Sequence, residues 1–201
     1  MIIKVGLIVA SYLLGSISWG IIFGRLLKKI DIRRVDLPGA AGSFRQLGVL
    51  PGIMVGVLDV LKAAVPILIA SKILKMAPTT MVPILCGLAA TAGHNWPIFF
   101  RFRGGMGIST TIGALVCLMP RALGVALPSA ILTGFIFRRI PPIRRLLPPI
   151  PAGALMGFIL LPFLAWLFYR HPSLIVFTLL LFLLALIRQI PDLRRMFGPG
   201  R

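Results

Sequence analysis

The stretch Gly93-His94-Asn95-Trp96-Pro97-Ile98-Phe99-Phe100-Arg101-Phe102-Arg103-Gly104-Gly105-Met106-Gly107 gathers the groups in this chain best suited to chemistry. It holds one of the chain's 2 histidines, two arginines, and the glycines Gly104, Gly105 and Gly107. Glycine at that density lets backbone N–H groups come close to an anion. Guanidiniums nearby neutralise the anion and grip it with paired donors. His94, beside them, can accept a proton near neutral pH. Read bare, these are the parts of a phosphate-handling loop at a membrane face. The same residues also fit a plainer part, a Gly-rich turn between helices whose arginines anchor at lipid headgroups.

Two further groups stand out. Ser43 and Arg45 lie in the basic segment 25–52, where Gly, Ser and Arg together again suit phosphate contact. Asp59 and Lys62 lie within an apolar run, three residues apart and so on one helix face. A charge inside a membrane span is costly and pairing lowers the cost, so the pair is either functional or a device that fixes helix register. Cys86 and Cys117 sit in apolar runs with no metal-ligand or redox spacing, and are expected to be small core residues. His171, before Pro172, is expected to be an interfacial loop histidine.

The elements that must position these groups are membrane spans. The chain has 201 residues, 58% of them hydrophobic, and a soluble domain of this size cannot bury that much apolar surface. The runs are continuous rather than alternating, which excludes a β-barrel. The expected fold is all-α, a single polytopic membrane helical bundle over residues 1–201. Its spans are predicted at about 2–24, 53–74, 81–98, 107–119, 122–137, 152–169 and 173–187, about seven in all. The first span is expected to be retained rather than removed as a signal peptide. Gly15, Ser16 and Gly20 would let it pack closely. Residues 138–151 are predicted to be a loop, because Pro141, Pro142, Pro148, Pro149 and Pro151 forbid a regular helix there. The segment after 187 reads as a tail.

A net charge of +18 on a soluble protein would point to nucleic acid, but no nucleic-acid motif is present, and here the basic residues sit in loops beside anionic headgroups. Their distribution is uneven. One side of the predicted bundle receives Arg25, Lys28, Lys29, Arg33, Arg34, Arg45, Arg101, Arg103, and the arginines of 138–151 and of the tail. The other receives only Lys4, Lys72, Lys75, Arg121 and Arg170. The positive-inside bias puts the first side in the cytoplasm, with the N-terminus outside and the C-terminus cytoplasmic. All the candidate phosphate loops fall on that side.

The order of these motifs resembles the bacterial acyl-phosphate:glycerol-3-phosphate acyltransferases, small seven-span inner-membrane enzymes. Tyr12-Leu13-Leu14-Gly15-Ser16-Ile17 looks like the family's opening. Asp31-Ile32-Arg33 with Arg45-Gln46-Leu47-Gly48 looks like the frame of its first cytoplasmic motif. Asp59-Val60-Leu61-Lys62 is similar to its Asp-Phe-Leu-Lys, and Gly93 through Gly107 to its Gly-His-x-x-Pro-x-Phe-x-x-Phe-Lys-Gly-Gly-Lys-Gly. The resemblance implies transfer of an acyl chain from acyl phosphate to glycerol 3-phosphate, giving lysophosphatidic acid in phospholipid biosynthesis. It implies no metal and no coenzyme A, membrane lipids as surroundings, and a bacterial plasma membrane location with the active site facing the cytoplasm. His94 would lie near the reacting groups. Arg45 would contact a phosphate, Arg103 would replace the first lysine of the Gly-rich motif, and Gly104 and Gly105 would give backbone donors.

The chain departs from that pattern at several points. Met106 stands where the family has its second lysine, Ala41-Gly42 where it has Thr-Asn, and the Gly-Ser-Gly-Asn before the first-loop arginine is missing. The family's loop serine before the sixth span has no counterpart, and its tail asparagine is matched only by Asp192. Ser43, Arg33, Arg34 and Arg101 are the available substitutes. Three functions stay open on the sequence: the family's acyl transfer, a catalytically impaired paralogue that binds or presents an anionic lipid, and a small transporter built around Asp59 and Lys62. Convergence of His94, Arg45, Arg103 and the Gly-rich backbone on one pocket open to lipid would separate them.

Overall fold

The computed structural model describes residues 1–140 and 149–197, with the side chains of 149 and 190–197 left aside. Among the described residues every regular element is helical. The α-helices are α1 (Ile2–Gly15), α2 (Trp19–Lys28), α3 (Ala40–Leu47), α4 (Val49–Leu68), α5 (Met81–Asn95), α6 (Ile108–Leu118), α7 (Pro120–Arg139), α8 (Pro149–Tyr169) and α9 (Pro172–Phe197). A π turn, Ile69–Ile73, prolongs α4, and short 3-10 turns lie at Ile32–Arg34 and Ile98–Phe100.

Five of these segments are long and apolar enough to cross a membrane: Ile2–Lys28, Val49–Ile73, Pro120–Arg139, Ile150–Tyr169 and Pro172–Gln189. The bundle is therefore a helical membrane fold. α5 and α6 are shorter, at 15 and 11 residues.

The helices meet where side chains are smallest. A Cβ on Gly15 would collide with the backbone of Ala90, and one on Gly93 with the carbonyl of Tyr12, so α1 lies directly on α5. Gly113 presses in the same way on Val60, seating α6 on α4, and Gly153 on Ala130, seating α8 on α7. In lipid such close approach replaces hydrophobic driving force with dispersion contact. The core of the bundle is filled by Ile67, Leu115, Met119, Leu174, Phe177 and Leu181.

Several predicted boundaries move. The first span is not one helix: it breaks at Ser16–Ser18, where the Ser16 hydroxyl donates to the Tyr12 carbonyl at 2.9 Å. It resumes as α2 and ends at Lys29, whose φ of 55° is followed by Ile30 N–H closing back on the Gly24 carbonyl at 3.1 Å. The segment 25–52 is not mainly loop, because α3 forms within it and α4 begins at Val49, only Gly48 (φ +108°) separating the two. α5 runs on through His94 and Asn95, so His94 belongs to a helix's last turn rather than to a loop. Pro149 and Pro151 lie in the first turn of α8, where a missing N–H costs nothing. The expected loop at 141–148 lies outside the described residues. The tail is helical too, since α9 continues to Phe197.

Candidate functional site

One end of the bundle is knitted together by hydrogen bonds between segments far apart in sequence. Arg33 lies on the 3-10 turn after α2 and holds Asp31 through Nε at 2.9 Å and Nη2 at 2.5 Å. Its Nη1 donates to the Phe100 carbonyl at 2.8 Å, tying the first loop to the loop after α5. Lys28 Nζ donates to the Gln46 carbonyl at 2.6 Å. The Tyr12 hydroxyl donates to the Trp96 carbonyl at 2.8 Å. At the opposite end, the Ser173 hydroxyl donates to the Thr79 carbonyl at 2.7 Å and the Tyr169 hydroxyl accepts from Arg121 N–H at 3.0 Å.

A cavity of about 440 Å³ opens at the first of these ends. Its wall takes Leu37, Ala40 and Arg45 from the α3 region, Asp59 from α4 and His94 from α5. Met106, Gly107, Ile108 and Ser109 from the start of α6 and Ile150 and Pro151 from α8 complete it. The wall is mostly apolar, with Arg45, Asp59 and His94 as its ionisable members, a lining suited to a molecule with a charged head and a greasy tail.

His94 has a close neighbour at each ring nitrogen. Nδ1 is buried and stands 3.5 Å from Asp59 Oδ1. Asp59 Oδ1 also stands 2.7 Å from Lys62 Nζ, so the predicted intramembrane pair exists and extends to the histidine. On the other edge, a Cβ on Gly105 would collide with Nε2. Glycine at 105 is thus what leaves that nitrogen uncovered.

Gly104 and Gly105 do not act as expected. Gly104 N–H donates to the Asn95 carbonyl at 3.2 Å and Gly105 N–H to the His94 carbonyl at 3.1 Å. Both donors are spent folding the loop back on the end of α5, and neither is left for an anion. Their carbonyls in turn accept from Arg188 on α9, Nη2 to Gly104 at 2.8 Å and Nε to Gly105 at 3.0 Å. Gly107 has φ +75° and precedes α6, and its missing Cβ leaves room for the Asn95 amide. The first turn of α6 therefore meets the cavity, as an anion site at a helix N-terminus needs.

Arg45 is on the cavity wall, with its guanidinium on Asp36: Nε to Oδ2 at 2.9 Å and Nη2 to Oδ1 at 2.6 Å. Burial works to raise the Asp36 carboxyl, but the bonds from Arg45, Leu37 N–H and Gln46 outweigh it and hold Asp36 below its ordinary range. The same bond raises Arg45 further. Ser43 is fully buried; its hydroxyl lies toward Gly20 on α2 and is not part of the cavity wall. Arg103 is exposed and also off the wall. His94, Arg45, Gly107 and Asp59 therefore converge, while Ser43 and Arg103 do not.

A family model described as glycerol-3-phosphate acyltransferase matches residues 5–198. The chain belongs to that family of enzymes. Among its relatives, glycerol-3-phosphate acyltransferase 2 of Moorella thermoacetica is 34% identical over 193 residues, 95% of this chain and 92% of the relative. Glycerol-3-phosphate acyltransferase of Shouchella clausii is 47% identical over 110 residues, 54% of this chain, and the alignment spans 53% of that relative's length. The fold matches the crystal structure of PlsY (YgiH), an integral membrane glycerol 3-phosphate acyltransferase, in its glycerol 3-phosphate form. The TM-score is 0.82 at 26% identity, covering 98% of this chain and 94% of that one. Its lysophosphatidic acid form matches with a TM-score of 0.80.

Membership favours the acyltransferase over the lipid-presenting paralogue that Met106 and the altered first loop had left open. Asp59 stands in the sequence with Lys62 as a pair either functional or fixing helix register, and the packing of α4 on α5 brings it to His94. One contributor to the site escaped the sequence. Arg188 read as one basic residue of a tail; the helical continuation of α9 was the signal that would have placed it among the packed groups.

Proposed function

We propose that this acyltransferase moves an acyl group from acyl phosphate to the 1-hydroxyl of glycerol 3-phosphate, forming 1-acyl-glycerol 3-phosphate. The observation that carries the proposal is the single cavity where His94 and Arg45 share a wall with Ile108, Ile150 and Pro151. Charged heads would sit at the His94–Arg45 side and the acyl chain along the apolar side. In the transfer, the glycerol oxygen bonds to the acyl carbon and its proton passes to His94. The bond from that carbon to the phosphate oxygen breaks, and phosphate leaves with the electron pair. Arg45, the Gly107 backbone and the first turn of α6 would neutralise and orient the phosphates, which is most of the catalytic task in such a reaction. The PlsY forms with glycerol 3-phosphate and lysophosphatidic acid support acceptor and product of this kind. Arg103 and Ser43 lie off the wall and would act through the loop and the α2–α3 packing.

In this reading α5 and α6 complete a set of seven crossings, the N-terminus lies outside, and the cavity faces the cytoplasm of a bacterial plasma membrane. The basic residues at the ends of α2, α3 and α7 support that orientation. The test is acyl transfer by purified protein in bilayers, with palmitoyl phosphate and labelled glycerol 3-phosphate. Labelled lysophosphatidic acid should form, and His94→Ala should lower kcat by at least about a hundredfold. Equal product from both proteins would remove His94 from the mechanism, and no product from either would remove the substrate pair.

A further inference from the structure

Among the described residues the cavity wall carries one permanent cation, Arg45, and the neighbouring Met106 adds none. A guanidinium that must meet a phosphate without a second cation beside it depends on its orientation. Yet Arg45 is a long side chain, 50% exposed, on the eight-residue helix α3. Left alone it would spread over many rotamers and give up that freedom each time a ligand bound.

Asp36 removes that freedom. Its carboxylate takes the guanidinium side-on, Oδ2 from Nε at 2.9 Å and Oδ1 from Nη2 at 2.6 Å. The carboxylate is itself fixed: only 12% exposed, it also accepts from Leu37 N–H at 2.8 Å and from Gln46 Nε2 at 3.3 Å. The chain around it is tightly folded, with Asp36 N–H on the Ile32 carbonyl at 2.7 Å and Gly39 N–H on the Leu37 carbonyl at 2.9 Å. Gly42 on α3 permits this, because a Cβ there would collide with the Leu37 carbonyl and crowd the Asp36 carboxyl carbon. Arg45 lines the cavity and Asp36 does not. The acid thus holds the guanidinium from outside the wall, and Nη1 has no partner among the described residues.

Two effects of Asp36 oppose each other. As an anion near an anion site it weakens phosphate binding through space, and solvent screens that repulsion at a half-exposed guanidinium. As a clamp it presents the unused guanidinium edge in one orientation, which strengthens binding by lowering the ordering cost. The paired bonds and the anchoring by Leu37 and Gln46 favour the clamp. A carboxylate that substrate displaces would be held by Arg45 alone.

We propose that Asp36 is a positioning residue for Arg45, fixing its guanidinium so that the Nη1 edge meets a substrate phosphate in the cavity. The proposal rests on the transfer proposed above, in which Arg45 contacts a phosphate, either that of the acyl donor or that of glycerol 3-phosphate.

The experiment compares Asp36→Asn, Arg45→Ala, Arg45→Lys and the double variant Asp36→Asn with Arg45→Ala. Each is assayed in bilayers with palmitoyl phosphate and glycerol 3-phosphate varied in turn, with thermal unfolding measured alongside. In Asp36→Asn the KM of at least one substrate should rise about tenfold, with kcat lowered by less than about threefold. The substrate whose KM rises is the one whose phosphate Arg45 meets. Arg45→Ala should raise the same KM by at least as much. In that background Asp36→Asn should change KM by less than about twofold, because no guanidinium is left to position. Arg45→Lys keeps the charge but cannot make the paired bonds to Asp36, so it too should raise that KM about tenfold, whether or not Asp36→Asn folds. Wild-type KM values in Arg45→Lys would overturn the proposal. So would a KM that falls or stays fixed in Asp36→Asn, the result expected where repulsion outweighs the clamp. A loss from Asp36→Asn that recurs in full on top of Arg45→Ala, with a lowered unfolding temperature, would make Asp36 a support of the loop alone and overturn it as well. Unchanged KM values for both substrates in Arg45→Ala would instead remove the phosphate contact of Arg45 itself, a separate failure.

Discussion

At the scale of residues, the site depends on what glycine omits. Gly105 leaves Nε2 of His94 uncovered, so Gly105→Ala should reduce acyl transfer by at least about tenfold while leaving membrane insertion intact, as read by activity and by gel filtration in detergent. The first-loop ion pair makes a different prediction. Hydrogen bonds from Arg33 hold the Asp31 carboxyl well below the ordinary carboxylate range, against the opposing effect of burial. A carboxyl depressed in the folded state adds stability that is complete above the unfolded value near 3.9 and is lost as pH falls toward the folded one. Asp31→Asn should therefore lower the unfolding temperature at pH 6, and the difference from wild type should shrink below about pH 4. His94, Arg45, Asp59 and Lys62 were legible in the sequence because charge and imidazole are rare in or beside apolar runs. Ser43 is set by tertiary packing: α3 turns its hydroxyl toward Gly20 of α2, a contact that the sequence of an eight-residue helix does not specify.

At the scale of elements, the site is a junction of helix ends. The end of α5 supplies His94, the start of α6 supplies Gly107 to Ser109, and α9 holds the loop between them through Arg188. Arg188→Ala frees the Gly104 and Gly105 carbonyls, so the loop should loosen. The expected outcome is a kcat lowered by about tenfold and faster amide exchange at 104–107, measured by turnover and by hydrogen exchange. Helix existence followed from apolar runs, and the small residues of α1 correctly announced close packing. Boundaries did not follow as well. Polar composition made 25–52 and the end of α9 look irregular, whereas tertiary hydrogen bonds such as Lys28 to Gln46 accompany helix there. Prolines 149 and 151 read as breakers because only their position at a helix start makes them harmless.

At the scale of the whole molecule, the fold gathers one end of the bundle into a polar, basic, hydrogen-bonded surface and leaves the sides greasy, with Ile131, Leu132, Phe163 and Leu183 among the exposed side chains. Composition announced that division. The cavity was not legible, because it is made by five separate segments, none of which carries the signal alone. The short α5 and α6 give this surface a depth. At 1.5 Å per residue they are about 22 and 16 Å long, against about 30 Å of hydrocarbon. If both are crossings, as proposed above, the loop that joins them lies below the level of the lipid headgroups, or the bilayer thins around it. Thickness becomes a variable of the reaction. In a series of phosphatidylcholine bilayers from fourteen- to twenty-two-carbon chains, turnover should peak at the thin end and fall as the membrane thickens, since a thicker slab deepens the mismatch around α5 and α6 and strains the junction between His94 and the α6 terminus. A shortfall of more than one helical turn in α5 and more than two in α6 would thus make the surrounding lipid a determinant of the rate.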